Sequence, residues 1–213
     1  MDSVTKGDNH MAKNKFSYSS KPKYKLSFNS PVILTFAALC TVTLILGIIT
    51  KSHTTRLLFV CYGHGSPFNP LTYVRALTYV LGHADFAHFA GNMTMLLLIG
   101  PVVEERYGSW NLAIMMIITA IAGGILNTLF FSTGILGASG IVFLLIILSA
   151  FGNMKKGEIP LTLILIAAIY LGQEVYAGLT ANDNISHFGH LCGGVSGLGF
   201  GFWYHKKKFE MHG

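Results

Sequence analysis

The sequence predicts an all-helical, polytopic membrane protein with six spanning helices, and three observations predict it. Of 213 residues 52% are hydrophobic and only 11% are charged, where a soluble domain carries about 25% charged residues. The mean hydropathy is +0.54. The apolar residues are gathered into stretches near the 20 residues that a helix needs to cross a hydrocarbon core about 30 Å thick.

Six such stretches occur in order: Pro31 to Thr50, Phe86 to Val103, Leu112 to Phe131, Gly137 to Asn153, Pro160 to Ala177 and His187 to Tyr204. Ahead of them, residues 1–30 are rich in Lys, Ser and Asn and are expected to form a disordered basic tail. Residues 205–213 form a second basic tail. The first stretch is an anchor rather than a cleaved leader, because Lys51-Ser52-His53 follows it where small residues would be needed.

Lysines set the expected orientation, since short cytoplasmic segments collect Lys and Arg. Lys6, Lys13, Lys15, Lys21, Lys23 and Lys25 precede the first span, and Arg106 follows the second. Lys155 and Lys156 lie between the fourth and fifth, and Lys206, Lys207 and Lys208 follow the sixth. Six spans put all four groups on one side, with both termini cytoplasmic. Lys51 to Asp85, Ser132 to Leu136 and Gly178 to Ser186 then face outward, and Tyr73, Leu77 and Tyr79 of the long loop are placed to dip into the interface. The formal charge of +6 clusters beside the spans, which favours lipid headgroups as partners over nucleic acid. The three cysteines, Cys40, Cys61 and Cys192, have no pairing or metal-type spacing.

Chemistry concentrates in three places. Gly137-Ala138-Ser139-Gly140 opens the fourth span. His83-Ala-Asp-Phe-Ala-His88-Phe-Ala-Gly-Asn92 leads into the second, with His88 and Asn92 one turn apart on one face. His187-Phe-Gly-His190 opens the sixth, whose Gly189, Gly193, Gly197 and Gly201 recur at every fourth position. Taken singly, the small residues read as helix-packing patches, and the polar pairs as interhelical hydrogen bonds.

Depth joins them. At about 1.5 Å per residue, Ser139 and His190 each lie roughly 21 Å above the cytoplasmic ends of their spans, and His88 and Asn92 roughly 22 and 17 Å above theirs. Four polar side chains at one level are expected of a site. Ser139 is then the nucleophile and His190 the base that takes its proton. Asn92, His88 and the Ser139 backbone N–H are the candidate oxyanion donors. Glu174 and Asp183 are expected to lie elsewhere, which favours a Ser-His dyad over a triad.

These residues resemble the rhomboid family of intramembrane serine proteases, over about residues 31–204. The family's Gly-x-Ser-Gly matches Gly137 to Gly140 and implies Ser139 as nucleophile. Its histidine followed by small residues matches His190, Gly193 and Gly197. Its His-x4-His-x3-Asn matches His83, His88 and Asn92, implying an oxyanion role for the latter two and a structural one for His83. Glu104 and Arg106 match its Glu-x-Arg, and Arg75 looks like the arginine of its first loop. Phe143 stands where the family often has tyrosine, in a position implying a ring stacked on the base.

The resemblance implies a six-helix bundle in a plasma (inner) membrane that cleaves single-span membrane proteins, with no metal or cofactor. Substrates would enter sideways near spans two and five. Two alternatives stand beside it. One is a non-catalytic rhomboid-like binder. The other is a metal transporter or intramembrane metalloprotease using His83, His88, His187 and His190, against which no His-Glu-x-x-His occurs and no carboxylate is expected in the cluster.

Overall fold

The computed structural model describes residues 27–152, 154–180 and 187–211. The N-terminal tail to residue 26, residues 181–186 with Asp183, and the last two residues lie outside the described residues. Nine helical elements follow in order among the described residues: α1 (Pro31–Ile49), α2 (His53–Leu58), α3 (Pro70–Thr78), a 3-10 turn (Tyr79–Leu81), α4 (Phe86–Tyr107), α5 (Ser109–Phe130), α6 (Ser139–Ala150), α7 (Leu161–Thr180) and α8 (His187–Met211). Four of these, α1, α4, α5 and α7, are long and apolar enough to cross a membrane.

α6 is the centre of the bundle. Its apolar run is uninterrupted on every side, and nine of its residues, from Gly140 to Ala150, are buried. It packs against α8 above all, and also against α4, α5 and α7. Among the described residues of the stretch expected to run from Gly137 to Asn153, Ser139–Ala150 is helical; Asn153 lies outside the described residues. Twelve residues rise about 18 Å, so α6 is shorter than the hydrocarbon core and its environment is protein. By contrast α8 continues as helix through Lys206, Lys207 and Lys208 to Met211, with His205 buried and stacked on Phe151 at 5.4 Å.

Contacts at the start of α1 explain Glu104. Pro31 begins α1 and has no N–H, and no acidic residue lies in that helix's first turn. The free N–H groups of Val32 and Ile33 donate instead to Glu104 Oε1 at 3.0 Å and Oε2 at 2.9 Å, and Ser109 Oγ donates to Oε1 at 2.7 Å. A carboxylate at a helix N-terminus also meets the positive end of the helix dipole. Glu104 is 2% exposed, so Glu104→Ala strands two backbone donors. A loss of about 3 kcal/mol is expected, read as a fall in melting temperature in detergent. Arg106 donates through Nη1 to the Ser149 carbonyl at 3.2 Å, which ties the ends of α4 and α6 together.

The long segment between α1 and α4 is itself structured, carrying α2, α3 and the 3-10 turn. Asn69 caps α3 by accepting from Leu71 N–H, and Arg75 Nε donates to the Leu57 carbonyl at 2.8 Å. Cys61 and Ile135 form an isolated antiparallel bridge, which fastens the loop to the segment before α6. Tyr79, placed by its sequence context at the interface, is buried at 6% exposure. The 3-10 turn carries it inward, where its carbonyl accepts from Gly137 N–H at 2.9 Å. Tyr73 and Leu77 do remain exposed.

Candidate active site

The His88 side of the site is set by a cap. Asp85 accepts from His88 N–H at 2.8 Å, starting α4 at Phe86 and so fixing which face carries His88 and Asn92. Asn92 is buried, and one of its amide hydrogens is committed to the His88 carbonyl at 3.0 Å. His83 lies edge-on to the His88 ring, with centroids 5.1 Å apart, and against Phe89 at 5.4 Å.

Burial pushes His83 down from the usual 6.5 to about 4, with the neighbouring His88 adding to the fall and the Leu81 backbone and Asp85 opposing it. Its folded-state pKa is thus below its unfolded one, so the unfolded chain binds more protons between these values. Stability is expected to hold above pH 6.5 and to fall as the pH drops toward 4, by up to about 3 kcal/mol. Melting temperatures at pH 7.5 and 5, compared with those of His83→Phe, check this; the variant should lose much of the pH dependence.

Gly137 turns the chain into α6 with φ +125°, a conformation that side chains rarely adopt. The space beside its α-carbon is taken by His88: a Cβ there would stand 2.7 Å from Cε1 and 2.8 Å from Nε2. His88 and Asn92 therefore flank the turn that delivers Ser139. Ser139 is half-buried and is the first residue of α6, where backbone N–H groups have no intrahelical partner.

α8 meets α6 at glycine. A Cβ on Gly193 would stand 1.9 Å from the Gly140 carbonyl oxygen, and one on Gly140 would stand 3.0 Å from the Gly189 oxygen. Further along, Gly197 faces Leu144 and Ile147, and Gly201 faces Phe151. Next to this crossing, the His190 ring lies flat on Phe143 with centroids 4.6 Å apart and 5° between planes. Phe143 is one turn after Ser139 on the same face of α6. No hydrogen bond joins Ser139 Oγ to His190 among the described residues, a separation common before substrate binds.

One expectation is overturned. Glu174 does not lie away from the histidines: its Oε2 is 2.7 Å from His187 Nδ1 and 3.0 Å from His190 Nδ1. The three ligand-capable atoms lie within 4.8 Å of one another, so the histidine cluster does contain a carboxylate. The reason is helical. α7 continues to Thr180, and Glu174 shares the i, i+4 stripe of Ile166 and Tyr170, both packed on the core, and of Gly178, which faces His187. That stripe was a signal available in the sequence, as was Asp85 immediately before an apolar run.

The fold and these contacts define an all-helical membrane protein with a serine-headed central helix packed, through glycine, on a histidine-bearing one. A Rhomboid domain model matches residues 70–207, beginning at α3 and so leaving α1 and α2 outside. Relatives include RHOMBOID-like protein 4 of Arabidopsis thaliana, 35% identical over 126 residues (55% of this chain, 31% of that protein). Rhomboid-related protein 1 of Caenorhabditis elegans is 29% identical over 138 residues (60% and 39%). Rhomboid protease GluP of Bacillus subtilis (strain 168) is 32% identical over 126 residues (56% and 24%). The chain spans a quarter to two-fifths of these relatives' lengths. It belongs to the rhomboid family and is an integral, multi-pass membrane protein.

Proposed function

We propose that this chain is an intramembrane serine endopeptidase that cleaves single-span membrane proteins in or near their transmembrane segments. The observation that carries the reading is the stack of Phe143 on His190, one turn from Ser139, beside a crossing where α6 and α8 touch through Gly140 and Gly193. Ser139 Oγ bonds to the scissile carbonyl carbon while its proton passes to His190. The same proton then goes to the amine as the C–N bond breaks, and water completes the cycle by releasing the acyl group.

The oxyanion is held by the free amide hydrogen of Asn92, by His88 and by the Ser139 backbone N–H, aided by the positive end of α6. His83 supports His88, and Gly137 leaves room for it. The six-span topology with both termini cytoplasmic, the plasma membrane as location and contact of the terminal lysines with anionic lipid belong to the same reading.

Labelling with a fluorophosphonate probe, with cleavage of a model transmembrane substrate, tests it. The expected result is adduct at Ser139 and cleavage that a chelator leaves unchanged. An intact, folded protein that neither labels nor cleaves would be a rhomboid-like binder, and activity lost to chelator alone would point to a metal enzyme.

A further inference from the structure

We propose that Glu174 is the positioning residue for His190, accepting its Nδ1 proton so that Nε2 is left as the base, with His187 competing for the same carboxylate oxygen. The inference rests on the protease reading above. A carboxylate in the middle of an apolar spanning helix is costly unless paired, and Glu174 is only 15% exposed. The partners it has are two imidazoles, both approached through Nδ1.

The two contacts differ. His187 makes the hydrogen bond, at 2.7 Å. His190, at 3.0 Å, lies off the line of one and its Nδ1 has no hydrogen-bond partner. Among the described residues no other carboxylate faces His190. The titratable groups around it are Glu174 on α7, His187 on its own helix and His88 on α4. Tyr170 reaches it only through Phe143, and neither α5 nor α6 carries an ionisable side chain.

A carboxylate oriented on Nδ1–H fixes the tautomer and steadies the imidazolium formed when Nε2 takes the Ser139 proton; the proton does not move on to Glu174. The distances favour this over a bound cation. Ligand atoms around a tetrahedral zinc stand roughly 3.3 Å apart, whereas 2.7 and 3.0 Å are hydrogen-bond lengths.

The test uses the full chain in proteoliposomes, comparing wild type with E174Q, E174D and H187A. It measures the fluorophosphonate labelling rate at Ser139, kcat and KM for a model transmembrane substrate, and melting temperature. E174Q keeps the shape of the side chain and removes its charge. It is expected to lower kcat and the labelling rate by about 10²- to 10⁴-fold with KM little changed, E174D to recover part of the loss, and H187A to keep wild-type rates or exceed them.

Wild-type rates in E174Q with an unchanged melting temperature would overturn the proposal. So would a loss matched by a collapse of melting temperature and rescued no better by Asp than by Gln, because Glu174 would then be structural. A wild-type rate that rises with chelator, in the absence of any effect of E174Q, would replace the hydrogen bond with an inhibitory metal site. If wild type itself fails to label, the protease reading falls first and this proposal with it; if wild type labels and E174Q matches it, only this proposal falls.

Discussion

Ser139→Ala, His190→Ala and the double variant are expected to be equally inactive, each losing on the order of 10⁴-fold or more in kcat, while His187→Ala cleaves. The equality is the informative part. A nucleophile and its base act as one unit, so removing either removes the step, and the second deletion has nothing left to take. Independent packing roles would instead give additive, partial losses. The two histidines lie one turn apart on α8 and share Glu174, so sequence position does not separate them. Contact does: it is His190 whose ring lies on Phe143, at 4.6 Å, one turn from the serine. Cleavage of a model substrate by the four variants, at matched melting temperature, checks this. An inactive His187→Ala with an active His190→Ala would move the base by one turn and undo the assignment.

Much of this architecture is legible in the sequence. α1, α4, α5 and α7 begin and end within a few residues of the apolar stretches, because a spanning helix has few alternatives for its backbone. Depth along the spans puts Ser139, His190, His88 and Asn92 at one level, and in the structure His88 and Asn92 flank the Gly137 turn that leads to Ser139. What was not readable depends on side-chain direction or on contacts distant in sequence. The fourth stretch is apolar over seventeen residues but helical over twelve, because hydropathy does not distinguish lipid from the protein interior that surrounds α6. The segment before α4 looked like a loop because its helices are short, yet the Cys61–Ile135 bridge and the inward turn at Tyr79 build it into the site. A carboxylate is expected to avoid that depth, which on sequence grounds places Glu174 elsewhere. The stripe Ile166, Tyr170, Glu174, Gly178 pointed the other way, and a buried pair of imidazoles is what such a carboxylate needs.

The glycines of α8 give the second large effect, and they grade it. A methyl at Gly193 would sit 1.9 Å from the Gly140 carbonyl oxygen and 2.7 Å from its carbon. Both atoms are backbone at the head of a buried helix, so no side chain can swing aside and the helices must part by about 1 Å or more, where ordinary carbon contacts begin at about 3.5 Å. A displacement of that size between reacting groups costs about 10²-fold in rate, and overpacking costs about 1–3 kcal/mol in stability. Gly193→Ala is therefore expected to lose most cleavage and to melt earlier. Gly197→Ala should do less, since its methyl would meet Ile147 Cβ at 2.8 Å and the Leu144 oxygen at 3.0 Å, a crossing further from Ser139. Gly199 has nothing within 4 Å, and Gly199→Ala should keep full activity and gain slightly from alanine's helix propensity. Labelling rates and melting temperatures for the three variants check the order. If all three behave alike, the stripe is only a membrane-packing feature. If activity falls at Gly193 by far more than stability does, the close approach of α6 and α8 is itself part of how the serine reaches its base.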